Sequence, residues 1–152
     1  MAVLTVQQIK DEITLDPAGL GFTALLTAGR NNAITDLLNA VPPSAPTIAV
    51  DVIDPVDAQA AVVASEWGAL TSAVKQRLWL ALVGLQSIPV RNTKIRDQVK
   101  EVWGVGTATR TALGALQTRP ATRAEELTGA DADSRTATVV TIEQVRQALR
   151  LP

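Results

Sequence analysis

Cysteine, histidine and tyrosine are all absent from this 152-residue chain. Without Cys there can be no disulfide framework and no thiolate metal site. Without His there is no imidazole ligand, and nucleophilic dyads that use Cys or His are excluded. Aromatics are scarce, at 3%: three Trp and one Phe. No apolar run approaches the roughly 18–20 residues that cross a membrane. The longest, WLALVGL at 79–85, reads as core, so no membrane partner is expected. The N-terminal MAVLTVQQIKDE lacks the basic n-region of a signal peptide. What is left for catalysis is carboxylate, lysine and hydroxyl chemistry, a narrow set. An enzyme is not expected, and neither is a cofactor or a metal.

Hydrophobic residues make up 47%, ordinary for a folded protein, and Ala, Leu, Val and Thr dominate. That composition suits small helices packed closely. The length fits one domain with a sizeable core. The expected fold is all-α: a single compact domain over 1–152, with seven or eight short helices in an orthogonal array around a buried central helix at about 71–86. In TSAVKQRLWLALVGLQ, Thr71 reads as the N-cap, and Val74, Leu78, Leu82 and Leu85 recur at helical spacing. From Leu78 onward apolar residues cover the other faces too, the pattern of an enclosed helix.

Elsewhere the punctuation is local. Thr5 with Gln8, and Thr141 with Gln144, are capping boxes. DPAGLGF, 16–22, reads as a turn, and Gly29 as the residue after a short helix. Asn31 or Asn32 is expected to cap the helix carrying Ile34, Leu37 and Leu38. Residues 41–53, VPPSAPTIAVDVI, form an extended Pro-rich loop, in which TIAVDVI is a strand-like run without an evident partner. Asp54-Pro55 starts a helix running to about 70 with a break near Ser65. Asn92 and Thr107 cap two more, Pro120 begins a short helix ending at Gly129, and 130–140 is a polar loop.

Net charge is −1, unevenly spread. Residues 1–70 carry two basic groups against eight acids, 71–123 carry nine against two, and 124–152 three against five. An acidic first half and a basic middle suggest two opposed surfaces. The basic set Arg91, Lys94, Arg96, Lys100, Arg110, Arg119 and Arg123 is a candidate interface, solvated or facing a subunit in preference to phosphates, since aromatics do not interleave with it. Trp67, at a possible helix break, is a candidate interface anchor. Trp79 and Trp103 read as core. Glu125 and Glu126 point about 100° apart on a helix and do not converge on a substrate. The glycines of DPAGLGF and Gly104-Val105-Gly106 lack the strand of a phosphate loop. Asp51, Asp54 and Asp57 lack the glycine and distal glutamate of a calcium loop.

Three segments carry a resemblance. ITLDPAGLGFTALLTAGRNNAITDLLNA, 13–40, holds an Asp-Pro-x-Gly-x-Gly-aromatic turn and an Asn-x-x-Ile-x-Asp-Leu-Leu-Asn helix; GTATRTALGALQTRPATRAEELTG, 106–129, holds Thr-Arg-x-Ala-Leu-x-Ala-Leu followed by Thr-Arg-Ala-Glu-Glu-Leu; VTIEQVRQAL, 140–149, closes the chain. Together, about 60 of the 152 residues resemble a family of small proteins encoded among the virion genes of tailed bacteriophages. The resemblance implies a structural component of the particle, near the tail or neck, made in the host bacterial cytoplasm. Its partners would be other virion proteins and further copies of itself, with an acidic surface meeting a neighbour's basic one. The alternative is a nucleic-acid-binding adaptor using the basic segment 91–123.

Overall fold

A computed structural model describes residues 3–129 and 139–152. Ten helices and two three-residue strands occur among them: α1 Val6–Leu15, α2 Phe22–Thr27, α3 Asn31–Asn39, β1 Thr47–Ala49, α4 Pro55–Ala60, α5 Ala64–Ala69, α6 Ala73–Val83, α7 Thr93–Val102, α8 Ala108–Ala115, β2 Thr118–Pro120, α9 Arg123–Leu127 and α10 Ile142–Arg150. The fold is thus mostly helical, as expected. No helix of the described residues is long and apolar enough to cross a membrane. The loop expected at 130–140 lies, up to 138, outside the described residues.

Helices this short are marginal alone, so packing and caps must hold them. Thr5, Thr122 and Thr141 each close a capping box with the Gln or Glu three residues on. Asp54 and Asn92 accept first-turn N–H groups, with Pro55 in the first helical position. The third helix departs from expectation: Arg30 stands at its N-cap and makes no side-chain cap bond, while Asn31 is already helical. The turn after α1 is built on Asp16, which sits at φ 42°, in the left-handed region that Asp tolerates better than most residues. Its carboxylate accepts the N–H groups of Leu20, Gly21 and Phe22 at 2.7, 2.8 and 3.2 Å. Gly21, at φ 88°, then turns the chain so that Phe22 is fully buried.

Where one core around α6 was expected, there are two clusters of buried residues in two compact units. Unit one is Met1–Ile48 with Pro120–Pro152, and unit two is Ala49–Arg119. The chain leaves unit one through β1 and returns through β2, and the two strands pair with each other. The strand-like run at 47–53 therefore has a partner after all. Pro120 belongs to that partner, so α9 starts three residues later than expected, behind the Thr122 cap.

Unit one packs α1, α3 and α10 around Ile9, Ile13, Ile34, Leu38 and Val145, with Phe22 of α2 beside them. Asn39 ties its distant segments together: its side chain donates to the Val140 carbonyl and accepts the Val140 N–H, both at 2.8 Å. Inside the unit lies an ion pair. Arg123 Nε and Nη2 donate to the two Glu12 carboxylate oxygens at 2.8 and 2.9 Å, and Arg123 Nη1 lies 2.7 Å from Glu126. The Arg123 and Glu12 side chains are only 10% and 2% exposed. Arg123 was expected on an interface; it is instead the buried half of a bidentate fork, placed there by the first turn of α9. Its hydrogen bonds to Glu12, outweighing the desolvation that opposes them, raise its pKa. A raised arginine pKa means that the arginine's side of this stabilisation is fully present at neutral pH and is lost as pH rises into strong alkali.

Unit two packs α4 to α8 around Trp79, Trp103, Leu82, Ile88 and Leu113. In α6 only Trp79 and Leu82 are buried, while Val74 and Leu80 are more than half exposed. The helix expected to be sealed on every side is therefore buried on one side only and leaves apolar residues exposed on the other, and its cap is Ser72 rather than Thr71. The helix expected over 55–70 is two, α4 and α5, with the break at 61–63.

A buried pair stripped of one partner leaves an uncompensated charge. Glu12→Ala and Arg123→Ala should each cost about 3–5 kcal/mol in urea unfolding. The double replacement Glu12→Leu with Arg123→Met should recover most of that loss. Additive losses in the double variant would contradict this account of the pair.

Candidate functional site

Unit two holds a cleft of about 200 Å³ lined by residues of α6, α7 and α8 together with Ile53 and Ile88. Those two residues form an isolated antiparallel bridge, each N–H donating to the other's carbonyl at 3.0 Å. The cleft follows from helical spacing on α7. Ile95 and Val99 lie one turn apart and supply apolar wall, while Arg96 and Lys100, the next residues round, line the same cleft. On α8, Arg110, Leu113 and Gly114 repeat the arrangement, and the glycine leaves the wall open. Gln117 completes the polar part of the lining.

The α8 wall is set from outside. Thr107 caps the helix. Glu66 of α5 accepts the N–H groups of Ala108 and Thr109 at 2.7 and 2.8 Å, a carboxylate at the positive end of a helix dipole. Thr109 is fully buried, and its hydroxyl accepts the Val63 N–H at 2.9 Å. The hydroxyl of Thr109 and then its N–H lower the Glu66 pKa, against a smaller opposing effect of burial. The α6 wall is set by aromatics. Trp79 meets Trp103 edge to face at 5.4 Å, and Trp67 lies 6.3 Å from Trp103 at 46°.

Of the basic residues expected at an interface, three converge on the cleft: Arg96, Lys100 and Arg110. Lys100 also pairs with Asp97 at 3.1 Å, half-exposed on both sides. Neither Arg96 nor Arg110 has a carboxylate within ion-pair distance among the described residues. Arg91 is spent on Asp51, at 3.2 Å, an exposed pair of little energetic weight. Lys94 is exposed on α7 and does not line the cleft. Arg119 lies in β2, half-buried. Arg123 belongs to the other unit's interior. Trp67 is half-buried against Trp103, not free-standing. The apolar lining itself had not been anticipated. Its signal was available in Ile95-Arg96-x-x-Val99-Lys100, which sets an apolar and a basic stripe side by side over one helical turn.

Glu125 accepts the Thr122 N–H at 2.8 Å and Glu126 faces Arg123. Among the described residues no three acidic side chains gather as a metal site would need. The cleft's lining offers apolar surface, two guanidinium groups without a carboxylate partner among the described residues, and an ammonium. Chemically, such a lining suits an apolar group with a carboxylate beside it. Set against family models, curated proteins and solved structures, the chain matches none.

Because the Glu66 pKa is lowered on folding, its contribution is present above the ordinary glutamate value of 4.5 and is lost as pH falls through the lowered one. Urea midpoints measured from pH 7 down to about pH 3 should therefore decline less steeply in Glu66→Gln than in the parent. Parallel profiles would show that Glu66 does not hold α8.

Proposed function

We propose that this protein is a structural component of a tailed-bacteriophage particle, tail- or neck-associated, that acts by assembling with other virion proteins and with copies of itself. The resemblance of residues 13–40, 106–129 and 140–149 to virion-encoded proteins supplies the setting. The observation that carries the mode of action is the cleft of unit two, apolar inside and edged by Arg96, Lys100 and Arg110, of which the two arginines lack a carboxylate partner among the described residues. A site of this kind gains from protein contact, where an apolar anchor is buried and flanking charges are paired. In this reading the short helices, expected to cross one another steeply, serve as rigid supports for contact surfaces. The rival reading, a nucleic-acid adaptor using 91–123, is less well supported. Arg91 is paired, Arg123 is buried, and the cations that do converge surround apolar lining in preference to an open groove.

Light scattering coupled to gel filtration should find self-association at low salt that weakens at high salt, and mass spectrometry should find the chain in purified particles. A monomer at every concentration, coupled with absence from particles, overturns the reading. DNA binding with a steep salt slope would favour the adaptor instead.

A further inference from the structure

The cleft has a counterpart on its own unit. Helix α4 starts behind Asp54, whose carboxylate accepts the Val56 N–H at 2.7 Å. The buried residue of this helix, Ala58, lines the cleft. Val56, two positions earlier, stands about 200° round the helix from it. It is 73% exposed, an apolar side chain on a face turned away from its own cleft. Asp57 beside it is exposed and has no cation within ion-pair distance among the described residues. One surface of unit two therefore presents an exposed valine, a small apolar knob, with the Asp57 carboxylate beside it. Another is a concave apolar cleft framed by Arg96, Lys100 and Arg110.

We propose that the Val56 knob of one copy seats in the cleft of the next, with Asp57 against Arg110 and Arg96. This inference rests on the assembly reading and names the contact it uses. The two surfaces are complementary in sign, and each is apolar at its centre. Because knob and cleft occupy opposite faces of α4, a chain cannot fill its own cleft, so the contact is heterologous. Repeated, it closes a ring or extends a filament according to the rotation between copies. Asp54 is already engaged at the helix cap, which leaves Asp57 as the carboxylate that pairs across the contact. Seating the knob removes an exposed valine from water and gives two otherwise unpaired guanidinium groups a partner in a partly dry site, where such pairs are stronger than in water.

A chain without cysteine allows a clean test. Gly114 lines the cleft, and a Cβ added there meets nothing within 4 Å. Val56→Cys and Gly114→Cys, made singly with different tags and mixed under mild oxidation, should give the mixed disulfide dimer in excess over either homodimer. Val56→Asp, Asp57→Lys and Arg110→Glu should each weaken self-association roughly tenfold. Asp57→Lys combined with Arg110→Glu in one chain should restore it, with circular dichroism verifying that each variant is folded. Self-association that survives all three single replacements, or statistical cross-linking of the two cysteine variants, overturns this contact and leaves the assembly reading standing. A monomeric parent chain that is also absent from particles overturns both.

Discussion

The fork between Arg123 and Glu12 constrains the whole of unit one, because its partners are 111 positions apart in the chain. Neither group can be left in that interior alone. A buried guanidinium needs a planar acceptor, and Glu12 offers both oxygens. The helix at the start of the chain must therefore dock against one near its end before Glu12 is compensated and before Arg123, which also meets Glu126 on its own helix, gains its bidentate partner. The rest of the unit agrees with that closure. Helices α1 and α10 pack together, Lys10 donates to the carbonyls of Leu151 and Pro152, and Asn39 reads the backbone of Val140. Unit two is then an insertion, entered and left through β1 and β2. That topology explains how one chain of this length carries two cores.

Within unit two the scarce aromatics are concentrated. All three tryptophans of the chain meet there, with Trp103 between the other two. Their large rings stiffen the meeting of α5, α6 and α7, where small aliphatic residues alone would pack loosely. The arrangement has a local cost: the Trp103 Nε1–H is buried and finds no acceptor among the described residues. An unmade hydrogen bond of this kind costs about 1–3 kcal/mol. Elsewhere in the same unit the α8 N-terminus is fully served by Thr107 and Glu66. The cleft lies between these two rigid features, which is a reason for it to stay open.

What could be read from the chain was mostly local chemistry. Thr5, Asp54, Asn92, Thr107 and Thr141 were legible as caps because a cap needs only a side-chain oxygen and the next three or four residues. The turn at Asp16 and the role of Gly29 follow from the same short range. Three features were not legible, each for a nonlocal reason. β2 is three residues long and contains Pro120; it is a strand only because β1 lies beside it. Arg123 looked like one cation in a basic run, and only its distant partner Glu12 makes it structural. In α6 the apolar residues on the outer face looked like burial, yet Val74 and Leu80 are exposed, because periodicity reports which residues share a face and not whether anything covers it.

Charge illustrates the same limit and bears on function. Counted along the chain, an acidic half precedes a basic middle, and two opposed surfaces seem to follow. Folding divides the chain elsewhere. Four of the eight acids before residue 71, namely Asp51, Asp54, Asp57 and Glu66, lie in the same unit as most of the basic middle. Asp51 neutralises Arg91, Glu66 serves a helix end, and Glu12 is consumed in the interior by Arg123. By sequence, unit two then holds eight basic groups against six acids, far from the excess seen in 71–123 alone. Long-range attraction between oppositely charged halves is therefore a weak basis for assembly, and screening would remove most of it beyond about 8–10 Å. What survives folding is local: two guanidinium groups beside an apolar cleft, and a carboxylate beside an exposed valine. Contacts of that kind derive their specificity from placement more than from net charge, and salt weakens them only through the few charges that they pair.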